Sequence, residues 1–403
     1  MEKHGYPARR WVMEQLLSLW RIEWDSEMLS VDEAAGRVPS EDQYARYSIP
    51  VVRASSMDGV GVRSADFTEG IPDTSGWQLG REFVRADTGD DFDDRYDAVI
   101  RIEDVTLDAG GKISIHPDVK VRPGLGVRPS GSMLKKNDLL VKAGRPLRPV
   151  DLAALVMGGI QRLPVYRKPR VAFIPTGSEL IPAGAPLERG KNIDSNSILV
   201  KHLLLEMGAV PVLFPIVRDE RKNLEEALES GLEQADIVIL NGGSSKGDED
   251  FNARILEERG HVICHGVAAA PGKPMCAAMV GGKPVINVPG PPAAVFYGMD
   301  WCIRGLIYHL LHLPMPLRQT VEGVLTEPIQ APSDMEILCK IDAHKKADGS
   351  FEVAQVPFRA SSVVENLCSN AMYVTKLGLD GHGIGERIAV ELLLGEEYFT
   401  EEP

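Results

Sequence analysis

The strongest constraint on this chain lies between residues 170 and 313, where apolar strand-like runs alternate strictly with helical segments. RVAFIP, VPVLFPIV, DIVILNGG and HVICHGVA are separated by NSILVKHLLLEMG, DERKNLEEALESGLEQA and DFNARILEERG. Strand and helix in turn imply a parallel sheet with right-handed crossovers, because parallel neighbours cannot be joined by a tight hairpin. A hairpin-like pair, KPMCAAMV and KPVINV, closes the region, followed by a long helix through Trp301 and Leu310. At 403 residues the chain is long enough for roughly 2 to 4 domains, so the flanks must fold separately or pack on this core.

The flanks carry different patterns. Residues 10 to 24 place Trp11, Leu16, Leu17, Trp20 and Ile22 at helical spacing, and a second helix is expected over Val31 to Val38. From Tyr47 to about Leu140, short apolar runs split by Gly, Pro and Asp predict a strand-rich insert. Asp151 to Gly159 reads as a helix ending on its glycines, and the segment after Leu313 alternates as a small all-β domain. The expected division is 1–46 with 141–168 as an N-terminal helical and linker domain, 47–140 as the β-rich insert, 169–315 as the α/β domain and 316–403 as the β-domain. The fold class is multidomain α/β plus β.

Charge and composition narrow the function. With 44 Lys and Arg against 58 Asp and Glu, the net charge is −14, and no basic run exceeds two or three residues, so nucleic acid is excluded as a partner. The longest uncharged segments, Gly266–Gly272 and Val285–Met299, are too short to cross a bilayer, and charges through Met1 to Trp24 do not make a signal peptide. A cytoplasmic protein is expected. The 5 cysteines (Cys264, Cys276, Cys302, Cys339 and Cys368) form no C-x-x-C pair and read as reduced thiols. His261, Cys264 and His265 would split between the faces of a strand, which favours packing over a metal site. The acidic run Asp87 to Asp94 lacks the Gly and Glu of a calcium loop and reads as a solvated turn.

Ligands of an open parallel sheet gather beyond the carboxyl ends of its strands. Three loops fall there: Thr176-Gly177-Ser178-Glu179, then Asn241 to Asp250, then Pro289-Gly290-Pro291-Pro292. Their small residues and hydroxyls suit phosphate recognition, although each alone also suits a plain turn. Glu179, Asp248 and Asp250 in these loops would repel a phosphate unless a divalent cation such as Mg2+ mediates; Asp248 also fits a helix N-cap. Lys273, within Pro271 to Pro274, offers a point charge to an anion or stands as a solvated turn lysine. No G-x-S-x-G, H-E-x-x-H or P-loop motif occurs.

In order along the chain, Leu29 to Arg37 is similar to the opening s..eAlGRv of the molybdopterin molybdenumtransferase family, the MoeA-type and gephyrin E-domain proteins. Ser55 to Val62 (SSMDGVGV) resembles its S-A-M-D-G-Y-A-V, and Asp97 to Ile100 with Glu103 its D-A-V-V...E. Arg170 to Leu180 resembles V-A-I-x-x-T-G-D-E-L, Asp194 to Asn196 D-x-N, Asn241 to Asp250 S-G-G-V-S-x-G-x-x-D, Pro271 to Pro274 K-P-G-K-P, and Gly385 to Val390 G-E-x-V-x-V. The resemblance spans nearly the whole length.

The resemblance implies a four-part subunit built on a Mog/MoaB-like doubly wound α/β domain, paired as a homodimer. Adenylylated molybdopterin and molybdate or tungstate would meet there with Mg2+, AMP would leave, and molybdenum cofactor would form. Molybdopterin adenylyltransferase would stand upstream and molybdoenzymes downstream. It implies catalytic duties for Asp58, Glu179, Asp250 and Lys273, and Mg2+ ligation by Asp58, Glu179 and Asp250, to which the loop position adds Asp248. It implies pterin and phosphate binding by Thr88, Thr176, Gly177, Ser178, Asp194, Asn196, Asp219, Gly242, Gly243, Ser244, Ser245, Gly247, Pro289 and Gly290. Departures favour a second reading, a non-catalytic molybdopterin-binding or cofactor-handing protein with a degraded oxyanion site. Ala270 replaces the first Lys of K-P-G-K-P, and Pro289 to Ala294 lose the Asn and Ser of P-G-N-P-V-S. Gly126 to Met133 keep only Arg128 and Gly131 of N-x-R-x-x-G-x-D. Val364 or Glu365 stands where the last domain usually has serine, and Lys340 where it has arginine. A scaffold acting through a dimer surface is the third reading.

Overall fold

The computed structural model describes residues 5–108, 110–242, 251–357 and 369–399. The chain divides into two compact units, 26–166 and 1–25 with 167–403.

The larger unit is built on a six-stranded sheet. Its strands are β1 (Arg170–Pro175), β2 (Val210–Leu213), β3 (Ile237–Asn241), β4 (His261–His265), β5 (Cys276–Val280) and β6 (Lys283–Val288), in the order β2-β1-β3-β6-β5-β4. β1 pairs in parallel with β2 and β3, and β3 with β6, whereas β5 runs antiparallel to both neighbours. The alternation read from the sequence is therefore realised, with the expected β5–β6 hairpin inserted ahead of the edge strand. Residues 237–241 are buried throughout, as a central strand covered on both faces requires.

Six helices cover this sheet: α1 (Arg9–Leu19), α2 (Asn196–Glu206), α3 (Arg221–Gln234), α4 (Phe251–Arg259), α5 (Pro292–Gly298) and α6 (Arg304–Leu310), with a π-helical turn at Met299–Ile303 joining the last two. Leu224 and Leu228 of α3 and Ile255 and Leu256 of α4 share a core with Ala172, Ile174, Val238 and Leu240. After α6, five strands (320–325, 336–345, 351–355, 371–374 and 387–392) pair in a closed ring around Leu325, Ile341, Val353 and Val390.

In the smaller unit, Val31 and Ala34 pack with Val141, Leu147, Leu155, Leu163 and Val165, under the helix Pro149–Met157. Asp151 accepts hydrogen bonds from Arg145 and Arg148, which hold its carboxyl well below the usual carboxylate range. A separate core of Val60, Val62, Phe83 and Ile100 belongs to the insert's three-stranded sheet of 59–62, 83–86 and 98–101.

Three sequence expectations differ from the structure. The helix expected over Val31 to Val38 is one 3-10 turn, Val31–Glu33, because the chain turns at Gly36 with φ of 70°. The first helix stops at Leu19 rather than Trp24, since the Trp24 indole donates to Arg167 O at 2.9 Å and the Arg167 guanidinium lies 4.2 Å from its ring centroid. That helix also groups with the α/β body rather than with residues 141–168. Val12 and Leu16 are buried in it, and Arg9 makes a two-pronged ion pair with Glu336 at 2.7 and 2.8 Å.

The described cysteines Cys264, Cys276, Cys302 and Cys339 are buried and not disulfide-bonded, and burial pushes the Cys264 thiol up to about 11. Among the described residues no helix is long and apolar enough to cross a membrane, and no group of three or more His, Cys, Asp or Glu is placed to hold a metal.

Replacing Arg9 by Ala leaves the Glu336 carboxylate, only 18% exposed, without its cation. Unfolding in urea is expected to show a loss of about 2 kcal/mol from the larger unit, below the range for a fully buried pair because some solvent remains.

Candidate functional site

The three loops singled out in the sequence meet at the carboxyl end of β1, β3 and β6. Thr176, Glu179, Leu180, Asn192, Ile193, Asp194, Ser195, Asn196, Asn241, Gly242, Gly290, Pro291 and Pro292 line one cleft of ≈ 340 Å³.

Much of the polar chemistry here holds the frame together. Thr176, 2% exposed, donates its hydroxyl to Asn241 O at 3.1 Å and accepts from Asn252 Nδ2 at 3.2 Å. Asn196 Nδ2 donates to Asn241 Oδ1 at 2.9 Å and to Gly290 O at 2.7 Å. Asn241 Nδ2 donates in turn to Val288 O at 3.2 Å and Pro289 O at 3.0 Å. The Asp194 carboxylate accepts from the Ser197 N–H at 3.0 Å and its hydroxyl at 2.5 Å, capping the first turn of α2.

Ser178 and Asp219 clasp each other, the Ser178 N–H donating to Asp219 Oδ2 at 2.8 Å and the Asp219 N–H to Ser178 Oγ at 3.3 Å. Lys191 Nζ donates to Ser178 O at 2.8 Å. Two glycines let the loops approach. Gly242 has φ of 126°, and a Cβ there would stand 2.4 Å from Thr176 O. A Cβ on Gly177 would stand 2.8 Å from both oxygens of Glu179, so that carboxylate lies folded over the glycine. Among the described residues the Glu179 carboxylate makes no hydrogen bond or ion pair.

The remaining expected site residues lie elsewhere. Asp58 and Thr88 belong to the smaller unit, where Asp58 Oδ1 accepts from the Thr88 N–H and hydroxyl, each at 2.7 Å. The backbone bond foremost, then the hydroxyl, lowers the Asp58 pKa below its ordinary value. Lys273 does not line the cleft: its ammonium sits 4.9 Å from the Tyr6 ring centroid. The turn carrying it does reach α5, since a Cβ on Gly272 would lie 4.0 Å from Ala294 O. Gly243, Ser244, Ser245, Gly247, Asp248 and Asp250 fall outside the described residues.

Sequence reasoning named Asn196, took Asn241 only as the start of a loop and missed Asn252 and Asn287; the last three are 2%, 1% and 0% exposed. The available signal was an amide at the end of, or inside, an otherwise apolar strand: Asn241 closes IVILN and Asn287 interrupts KPVINV.

Comparison with known proteins shows what the chain is similar to. Residues 8–159 match the MoeA N-terminal region (domain I and II), and residues 172–309 match a probable molybdopterin binding domain. A molybdopterin molybdenumtransferase of Haemophilus influenzae is 31% identical over 315 residues, covering 75% of this chain and 76% of that protein. One from Bacillus subtilis is 28% identical over 398 residues, covering 94% and 92%. The crystal structure of a molybdopterin biosynthesis MoeA protein from Pyrococcus horikoshii superimposes with a TM-score of 0.80 at 25% identity, over 97% of this chain and all of that one.

Gly242→Ala combines an unfavourable φ with a backbone collision. It is expected to cost about 2 kcal/mol in chemical denaturation and to disturb the amide resonances of Thr176 and Asn241 before others.

Proposed function

We propose that this chain, which belongs to the molybdopterin molybdenumtransferase family, inserts molybdate or tungstate into adenylylated molybdopterin, with Mg2+ present and AMP released. The supporting observation is the cleft at the carboxyl end of the sheet, where the Glu179 carboxylate has no partner among the described residues while the Thr176 hydroxyl and the Nδ2 groups of Asn196 and Asn241 are bonded within the frame. Adenylylated molybdopterin carries a phosphoanhydride, and its cleavage yields AMP.

The donor set fits a hard divalent cation, which takes oxygen ligands. Glu179 is the described residue that would hold it, with Asp250 assigned to the same duty by the resemblance and Asp248 by its place in the same loop. Bound there, Mg2+ would supply charge neutralisation at the phosphates. The chain's own residues shape the binding surface: Gly242 and Gly290 keep the loops thin, and Leu180 and Ile193 give the cleft an apolar wall suited to a flat heterocycle. Asp58, whose Thr88 bonds favour its carboxylate form, is assigned a share in the reaction by the resemblance.

A specific observation favours the second reading, binding without turnover. Lys273, the lysine retained from the family pattern, is stacked on Tyr6, and Ala270, Pro291 and Ala294 offer molybdate no side-chain donor.

The deciding measurement is AMP release from adenylylated molybdopterin with Mg2+, comparing molybdate, tungstate and no oxyanion. Oxyanion-dependent release is expected in the wild type. Glu179→Gln and Asp58→Asn should each lower it about 100-fold. Pterin binding with no oxyanion dependence would instead establish the non-catalytic reading.

We also infer a homodimer. Supporting it, Ile198 and Leu205 of α2, seven positions apart, are 54% and 50% exposed on the helix whose other face packs on the sheet. Light scattering should give twice the chain mass of 44.0 kDa; a single-chain mass at micromolar concentration overturns it.

A further inference from the structure

The wall of the cleft formed by residues 289–292 is poor in groups that could hold it in place. Pro289, Pro291 and Pro292 have no N–H, which leaves Gly290 as the segment's one backbone donor, and that N–H makes no hydrogen bond among the described residues. The segment is held instead through its carbonyls, by amides from elsewhere. Val288 O and Pro289 O accept from Asn241 Nδ2, Val288 O also accepts from the Gly242 N–H at 3.1 Å, and Gly290 O accepts from Asn196 Nδ2.

Asn241 is the junction. Its side chain spends Nδ2 on the 289–292 wall and Oδ1 on Asn196, while its own carbonyl accepts both the N–H and the hydroxyl of Thr176, at 2.8 and 3.1 Å. One residue, 2% exposed, thus ties all three loops of the cleft. In the family pattern quoted above, this position reads Ser and position 291 reads Asn; here the amide stands at 241 and Pro at 291. A serine hydroxyl has one proton and cannot donate to the two carbonyls while also serving Asn196 as Asn241 does.

We propose that Asn241 is a positioning residue for the cleft: by clamping the carbonyls of Val288 and Pro289 it keeps the Gly290 N–H available to an oxyanionic group of the ligand, in place of the side chain lost at Pro291. The proposal deepens the reading of the cleft as the adenylylated molybdopterin site and rests on it for the ligand's identity. Asn241→Asp is nearly isosteric but sets carboxylate oxygen against two carbonyl oxygens, and buried like-signed atoms at these distances repel.

The test pairs ligand binding with hydrogen exchange. Asn241→Asp is compared with Asn241→Ser and with Ile239→Val, a core substitution on the same strand that lowers stability without reaching the loops. Exchange of the Gly242 amide should quicken at least tenfold in the Asp variant and the dissociation constant for adenylylated molybdopterin should rise at least tenfold, both well below the unfolding transition. Asn241→Ser should show smaller changes in the same direction. Ile239→Val should lower the transition and change neither. Should the Asp variant fail to fold, the Ser variant carries the same comparison. Wild-type affinity and exchange in folded Asn241 variants, or equal changes in Ile239→Val, overturn the proposal. If the wild type itself does not bind the adenylate, the proposed function fails while the exchange arm still decides whether Asn241 clamps the wall.

Discussion

Everything at the candidate site depends on one constraint: the central strand of the sheet ends in the interior, and the polar backbone groups exposed by its ending must find partners there. An unpaired buried N–H or C=O costs about 1 to 3 kcal/mol. β3 is buried through Asn241, so water does not satisfy its end. The chain meets the demand with side-chain amides and one hydroxyl, drawn from Asn196, Asn241, Asn252 and Thr176. The loops are held near one another because these bonds cross between them, and the cleft is the space the bonds leave open.

This explains what a reader of the sequence sees and what escapes. The sheet is legible because apolar runs and intervening helices are local patterns, and the ligand-facing loops are legible because small residues follow those runs. Glu179, Gly242 and Gly290 line the cleft for that reason. The partners of the polar groups are not local. Asn196 meets Gly290 across 94 positions, and Arg9 meets Glu336 across 327. No periodicity encodes such a pairing. Thr176, Asp194 and Asn196 line the cleft, and their side chains also have partners in its framework, which no motif announces. The rule that ligands gather beyond the carboxyl ends of parallel strands brings the three loops to one cleft, but residue roles inside it follow from burial and bonding, which a motif does not carry.

The same non-locality accounts for the first helix. Its periodicity announces a helix but not where the helix docks, and the apolar stripe of Val12 and Leu16 would suit several surfaces. The decision rests on Arg9. Its guanidinium reaches Glu336 at the start of a strand in the β-ring and lies 5.1 Å from the Tyr297 ring centroid on α5. One side chain therefore joins the N-terminal helix, the α/β layer and the β-ring, and planar, two-pronged pairing over an aromatic face suits arginine better than lysine.

Electrostatics then separates what the cleft can hold from what it can convert. Its described lining includes two carboxylates, Glu179 and Asp194, and no lysine or arginine. Asp194 accepts two hydrogen bonds from Ser197; Glu179 accepts none among the described residues. At an effective dielectric near 20, like charges 4 Å apart repel by about 4 kcal/mol, so a phosphoanhydride cannot settle beside Glu179 on hydrogen bonds to a few backbone amides alone. A divalent cation carried with the ligand reverses the sign of that interaction, and the carboxylate becomes an asset. A protein that only stored the pterin would bind it more tightly with Gln at position 179. The retained carboxylate thus favours chemistry over storage, whereas Lys273 resting on Tyr6 favours the reverse, and the two residues pull the reading of the site in opposite directions for the same electrostatic reason.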